Sequence, residues 1–303
     1  ALNSTSATLW KSDGGESYTL EKSEHLEHGT SIVIKLNKDN EEFLDESRIR
    51  FLINKYSEYI NFPINIQIDD EDEERVNNNE AIWLKSKRSV KKDEYEEFYK
   101  YISNYFNEPL LTIHNKVEGK QEYSNLLYIP KKSPFDIWNR DTPKGLKLYI
   151  QRVFIMDDAS HFLPLYLRFV KGVVDSNDLP LNVSREILQD HPLVHSIKTA
   201  LTKRVINSLR KLKKDDRNQF TEFWSEFGLV LKEGPAEEPS NKDDIAELFI
   251  FSSTVNENSQ INRSFDDYIE SCQSEDKKIY YCIGETYEAC ANSPHIELSL
   301  IHI

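Results

Sequence analysis

Asp178-Leu179-Pro180-Leu181-Asn182-Val183-Ser184-Arg185-Glu186-Ile187-Leu188-Gln189-Asp190 is a loop that turns into a helix, with one arginine at the turning point. Pro180 bars Leu179 from helical geometry, and Asn182 or Ser184 can cap a helix that opens with Glu186, Ile187 and Leu188. Arg185 therefore sits near a helix N-terminus, where the dipole favours an anion and a planar guanidinium can reach a phosphate. On these residues alone the simpler reading is a cation that orders its own loop by pairing with Glu186, Asp178 or Asp190.

Outward from this loop, strands and helices alternate. On its C-terminal side, Pro192 suits a first helical turn, and Leu193, Ile197, Leu201, Val205, Leu209 and Leu212 form an apolar helical stripe. The opposite face carries Lys198, Lys203, Arg204, Arg210, Lys211, Lys213 and Lys214, read as a solvated face paired with neighbours such as Asp215 and Asp216. Phe220, Phe223, Trp224 and Phe227 mark a further helix, expected to end at Gly228. On the N-terminal side, the runs Leu110 to Val117, Leu126 to Ile129 and Leu146 to Ile155 read as strands. Tyr95, Phe98, Ile102, Tyr105 and Phe106 mark an aromatic helix. Asp45 opens a helix with Ile49, Leu52, Ile53, Tyr56 and Ile60 on one face, and the alternation of Phe62, Ile64, Ile66 and Ile68 predicts a half-buried strand. The acidic run Asp69 to Glu74 is an exposed loop.

Interleaving of this kind gives an α+β, mixed α/β fold class with a layered central domain. Near the N-terminus, Leu9 to Leu20 reads as two short strands about an Asp-Gly-Gly turn, and Ser31 to Leu36 as an alternating strand. Past the central domain, Gly234 to Asn241 reads as a connector, Asp243 to Phe251 as a helix, Ile279 to Ile283 as a buried strand, and Tyr287 to Asn292 as a helix.

The 303 residues suffice for more than one well-buried core, and a net charge of -14 disfavours nucleic acid and acidic membranes as partners. No apolar run reaches the roughly 18 residues of a membrane helix. Cys272, Cys282 and Cys290 are odd in number and lack metal-ligand spacing, so they read as reduced thiols. His191 and His195 lie one helical turn apart without a placed third ligand, and Ser184 lacks a nucleophile-elbow pattern, so neither carries a catalytic reading.

Longer runs carry a resemblance. Leu148-Tyr149-Ile150-Gln151-Arg152-Val153-Phe154-Ile155-Met156-Asp157-Asp158 and Leu167-Arg168-Phe169-Val170-Lys171-Gly172-Val173-Val174-Asp175-Ser176 lead into the arginine loop. With Val117 to Tyr123, Trp138 to Asp141 and Phe227 to Gly234, they resemble the middle domain of the heat-shock protein 90 chaperones in their bacterial form. The similarity extends from about Trp10 to about Glu297.

The resemblance implies an ATP-driven, dimeric folding chaperone of the cytoplasm that acts on unfolded or partly folded clients. Arg185 matches an arginine that reaches the γ-phosphate of ATP held in an N-terminal domain. Gln189 and Asn182 match residues that fix that loop, and Thr30 matches a residue of the adenine pocket. Trp83 matches a tryptophan associated with client binding; an exposed indole would suit that role, and an indole packed under the acidic loop is the alternative.

The implied organisation is 1–36 as the end of the nucleotide domain, 37–46 as a short charged linker and 47–233 as the large middle unit. Residues 234–278 would be connector and helical segment, and 279–303 the start of a second small α/β unit. The glutamate, asparagine and lid that hold ATP with Mg2+ would lie upstream. The last residues from Leu298 depart from the family pattern, so a truncated end is expected. Alone, the chain is expected to fold through Gly234 without hydrolysing ATP, binding nucleotide or dimerising. The competing function class is a passive interaction scaffold.

Overall fold

The computed structural model describes residues 6–23, 28–69, 72–119, 121–139, 145–181, 188, 190–254, 260–272 and 278–294. The chain divides into two compact units, Ala1–Ile49 and Arg50–Ile303. In the first, β1 (Ala7–Lys11) pairs antiparallel with β2 (Thr19–Ser23). Their connection is tightened where the Asp13 Oδ1 accepts from the Gly15 N–H at 3.0 Å. The expected strand from Ser31 to Leu36 does not form: among the described residues the segment pairs with no strand, and Ile32, Val33 and Ile34 are exposed. Alternation alone makes no strand when the backbone lacks a partner.

Helix α1 (Glu46–Tyr56) starts where expected, with Asp45 Oδ1 accepting from the Ser47 N–H at 2.7 Å. The strand expected from Phe62 to Ile68 shrinks to β3 (Asn65–Ile66), paired with β4 (Glu74–Arg75) across the acidic run. Helix α2 (Lys92–Ser103) follows and stops at Asn104, whose left-handed backbone ends it. Phe106 lies beyond that stop and is exposed.

Five strands build the central sheet: β5 (Pro109–Val117), β6 (Tyr123–Pro130), β7 (Leu146–Ile150), β8 (Val153–Ala159) and β9 (Lys171–Ser176), in the order β5-β6-β9-β7-β8. Neighbours are antiparallel except β7 and β9, which run parallel. The run Leu146 to Ile155, read as one strand, is a hairpin. Its two-residue turn is Gln151-Arg152, with φ of 49° and 69°. Those dihedrals normally select Asn or Gly. Here the turn is held from outside, because Gln151 N–H donates to Ser176 O and Arg152 N–H donates to Asp175 Oδ1. Gly172 on β9 has φ 146°, and a Cβ there would lie 2.2 Å from Leu126 O, so only glycine lets β9 approach β6.

Side chains alternate across β6 and separate two core layers. Leu127 and Ile129 join Leu148, Ile150 and Val174 beneath α3 (Pro192–Asp215) and α4 (Arg217–Leu231). Leu126 and Tyr128 join Tyr149 and Val173 on the other face, against α2 and the turn bearing Trp83. The fold is therefore α+β and layered, with helices on both faces of the sheet.

Helix α3 begins at Pro192 and buries the stripe from Ile197 to Leu212. On its basic face, Arg210 pairs with Asp244 and Glu247 at 2.8 Å each, and Lys213 donates to Glu247 O. Helix α4 runs past Gly228 to Leu231. That glycine is a packing position, since a Cβ would lie 2.8 Å from the Trp224 ring. Short helices α5 (Gly234–Glu237) and α6 (Lys242–Ala246) follow, and the helix expected to reach Phe251 ends five residues earlier at Ala246. Helices α7 (Phe265–Ser271) and α8 (Tyr287–Ala291) complete the described elements. The segment from Ile279 to Ile283, expected as a buried strand, is unpaired, with Tyr281 and Ile283 more than four-fifths exposed. All three cysteines are free thiols.

Candidate functional site

The arginine loop leaves the sheet at the C-terminal end of β9. Asn182, Ser184, Arg185 and Gln189 lie outside the described residues; the shoulders on either side of them are described. Ser176, fully buried, ends β9, and its Oγ lies 3.3 Å from the N–H groups of both Asp178 and Leu179, accepting from each. This turn converts strand into loop by satisfying backbone donors that the ladder no longer reaches. Asp178 Oδ2 accepts from the Glu122 N–H at 2.7 Å, and Asn177 N–H donates to Glu122 O at 3.0 Å. Leu179 and Leu188 are both buried in the core layer beneath α3, so each shoulder is anchored by an apolar side chain.

Beyond the loop, His191 caps α3, its Nδ1 accepting from the Leu193 N–H at 3.2 Å. That cap engages one ring nitrogen of the His191 and His195 pair. Among the described residues no three His, Cys, Asp or Glu side chains gather as a metal-binding group. Ser196, one turn into α3, donates its hydroxyl to Gln121 Oε1 at 3.0 Å. Gln121 and Glu122 belong to the turn between β5 and β6, so one short segment touches both shoulders.

Behind β9 lies a buried polar centre that sequence reasoning missed. Asp175 is 3 % exposed; its Oδ2 accepts from Trp83 Nε1–H at 2.9 Å and its Oδ1 from the Arg152 N–H at 3.2 Å. Burial raises its carboxyl above the ordinary aspartate value, and these hydrogen bonds oppose the rise. Trp83 is fully buried, boxed by Tyr59, Tyr149 and Phe98 with ring centroids 4.7, 4.8 and 5.6 Å away. Of the two alternatives for Trp83, exposed or packed, the exposed client-binding indole is ruled out: the ring is core, and its polar edge is used by Asp175. His114 completes the centre. Its Nε2 lies 3.0 Å from Trp83 O and its Nδ1 2.6 Å from Tyr95 Oη. A carbonyl can only accept, so Nε2 carries the proton and Nδ1 accepts from the tyrosine. Burial lowers the His114 pKa below its ordinary value.

Thr30 belongs to the first unit and is exposed. No helix among the described residues is long and apolar enough to cross a membrane.

The sequence profile of the family described as Hsp90 protein matches residues 66–301. The chain belongs to the Hsp90 family. Among Hsp90 relatives, the Chaperone protein HtpG of Pasteurella multocida (strain Pm70) is 49% identical over 306 residues, an alignment covering 98% of this chain and 48% of the relative. Proteins of the same name from Salmonella typhi and Yersinia enterocolitica are also 49% identical. They cover 96% of this chain, and 48% and 47% of their own lengths respectively. The chain spans about half the length of the curated Hsp90 relatives it matches.

Proposed function

We propose that this chain is the central segment of an ATP-dependent folding chaperone, in which Arg185 reaches the γ-phosphate of ATP bound with Mg2+ by the nucleotide domain. The observation that carries the reading is the Hsp90 family match across 66–301, which contains the arginine loop and both of its anchored shoulders. A guanidinium fits a terminal phosphate by its planar, permanently charged fork. Its contribution is to stabilise negative charge that spreads over the phosphoryl oxygens as the group departs. Asn182 and Gln189 would hold the loop, and Thr30 would line the adenine pocket. The proposed magnesium is given no ligand among the described residues. Bound ATP supplies the transferable phosphoryl group; this chain's part is to place one cation beside it and thereby make turnover depend on how the domains close.

The same reading makes the protein a cytoplasmic homodimer that holds unfolded or partly folded clients. Arg185→Ala in the complete chaperone chain is expected to lower ATP turnover by about 10²- to 10³-fold, the usual scale for removing one preorganised charge-stabilising group. Nucleotide affinity is expected to be retained, because the nucleotide is held by another domain. Turnover unchanged by the substitution would remove Arg185 from the chemistry and leave the passive scaffold.

A further inference from the structure

We propose that Cys282 and Cys290 form a redox site, a thiol pair that closes reversibly into a disulfide by exchange with a low-molecular-weight disulfide. Neither thiol takes part in the reading of Arg185 given above. Both sulfurs lie over one short stretch of backbone. Cys282 Sγ is 4.0 Å from Ile283 O, at the end of the exposed run that begins at Ile279. Cys290 Sγ packs on the next residue, Gly284, where a Cβ would lie 2.5 Å from that sulfur. A side chain at this position would displace the thiol, so glycine is what lets α8 bring its sulfur back over the run. The return is fixed by the start of the helix. Thr286 Oγ1 accepts from the Ala289 N–H at 3.1 Å, and Thr286 O accepts from the Cys290 N–H at 3.2 Å. Cys290 thereby stands in the first turn of α8, with its thiol hydrogen-bonded to Cys282.

The two thiols are not equivalent. Cys282 is exposed and Cys290 is half-buried. The hydrogen bond to Cys282 raises the Cys290 pKa, and burial adds to the rise. Cys290 therefore keeps its proton, and the accessible sulfur of Cys282 is the one that attacks. The Cys282 thiolate adds to one sulfur of the small disulfide, forming a mixed disulfide and releasing one small thiolate. That thiolate takes the proton of Cys290. The Cys290 sulfur then attacks Cys282 Sγ and expels the second small thiol. In sum the two protein thiols lose two electrons and two protons, and the small disulfide becomes two thiols. The remaining approach of the sulfurs to bonding distance falls on the segment from Ile279 to Gly284, which has no strand ladder to break among the described residues. Closure ties the exposed Tyr280, Tyr281 and Ile283 to α8, so oxidation alters an apolar surface as well as two thiols.

The test uses the complete chaperone chain, incubated folded with glutathione disulfide and glutathione, then alkylated, denatured and cleaved after glutamate. Cleavage after Glu285 and Glu288 puts the two cysteines on separate peptides, so only a disulfide keeps them together. With glutathione at about 1 mM, the linked peptides are expected to exceed the glutathione mixed disulfides about tenfold, because a thiol held in contact has an effective concentration above millimolar. Dithiothreitol is expected to return both thiols. Cys290→Ser is expected to trap glutathione on Cys282, whereas Cys282→Ser is expected to leave Cys290 largely unmodified. Cys272→Ser is expected to leave the linked yield unchanged. Linked peptides no more abundant than the mixed disulfides would overturn the proposal, as would a linked yield that Cys272→Ser abolishes. Equal uptake of glutathione by Cys290 and Cys282 in the two single variants would also overturn it, since the attacking thiol would then not be set by this geometry.

Discussion

Trp83, His114 and Asp175 form a chain in which the buried indole N–H and the Trp83 carbonyl each have a partner. Asp175 accepts from the indole, and His114 donates to the carbonyl of the same residue. Removing the acceptor leaves the buried indole N–H of Trp83 and the half-buried N–H of Arg152 without it. Asp175→Ala is therefore expected to destabilise the fold by about 2–4 kcal/mol, measured by urea denaturation. Asp175→Asn keeps an acceptor for the indole and removes the titration. Because the folded pKa of Asp175 is raised, its contribution is most favourable at low pH and is lost as pH rises through the folded value. Wild type is thus expected to gain stability relative to Asp175→Asn on acidification towards pH 3.8, the ordinary aspartate value. His114 has the opposite sign. Its pKa is lowered, so its contribution is complete above the ordinary value of 6.5 and is lost as pH falls from there through the folded value. His114→Gln can offer a donor and an acceptor without titrating. The difference in thermal midpoint between wild type and this variant is expected to shrink or reverse below pH 6.5; a constant difference down to pH 5 would sink the assignment of neutral His114. None of this centre was legible in the sequence, because its three polar residues lie on separate elements brought together by the sheet. A tryptophan beside an acidic run fits a surface patch as well as a core position until Asp175 is placed beneath it.

At the scale of elements, the runs that carried the family resemblance are the places where elements touch. Arg168, from the run entering β9, is 5 % exposed and grips Glu233, from the run ending α4, at 2.7 and 2.8 Å. Its Nε donates to Ile137 O and its guanidinium lies 5.7 Å over the Trp138 ring, so a third run meets the same arginine. Breaking one side of such a pair strands a charge. Arg168→Met is expected to cost about 3–5 kcal/mol in urea denaturation, while Arg168→Met with Glu233→Leu recovers most of that loss. If the double variant is as unstable as the single, the guanidinium's bonds to Ile137 O and Leu165 O outweigh the ion pair. Helices were the legible part of the fold, since α3 and α4 announce themselves by an apolar period that tertiary contacts then use. Strands were less so. The Gln151-Arg152 turn carries no Asn or Gly and exists because Ser176 and Asp175 accept its N–H groups, so the hairpin could not be separated from one long strand. The run at Ser31 to Leu36 alternates and the run at Ile279 to Ile283 is continuously apolar, and among the described residues neither has a paired neighbouring strand. Of the candidate site, the non-helical backbone at Leu179 was legible from Pro180, whereas the burial of Leu179 and the ties from Gln121 and Glu122, which span more than fifty residues, left no local signal.

For the whole molecule, the decisive feature is that both core layers are built on one sheet. Adjacent residues of β6 point into opposite layers, Leu126 and Tyr128 into one, Leu127 and Ile129 into the other. Neither layer can lose its sheet face without stripping the other, which argues for a single cooperative unit within Arg50–Ile303. The described residues before Ile49 contribute no buried side chain, so they add nothing comparable to that transition. Deleting residues 1–44, which keeps the Asp45 cap of α1, is expected to leave the urea midpoint of the sheet unit unchanged. Pulse-labelling hydrogen exchange across the urea transition is expected to give one midpoint for peptides from α2, from β6 and from α3. Separate midpoints for α2 and α3 would mean that the layers open independently. The shoulders of the arginine loop would then ride on the α3 layer alone, and a disturbance at Trp83 could not reach them. A common midpoint makes the sheet the rigid reference for Leu179, Leu188 and the turn at Gln121 alike, which is the kind of reference that the proposed role of Arg185 requires.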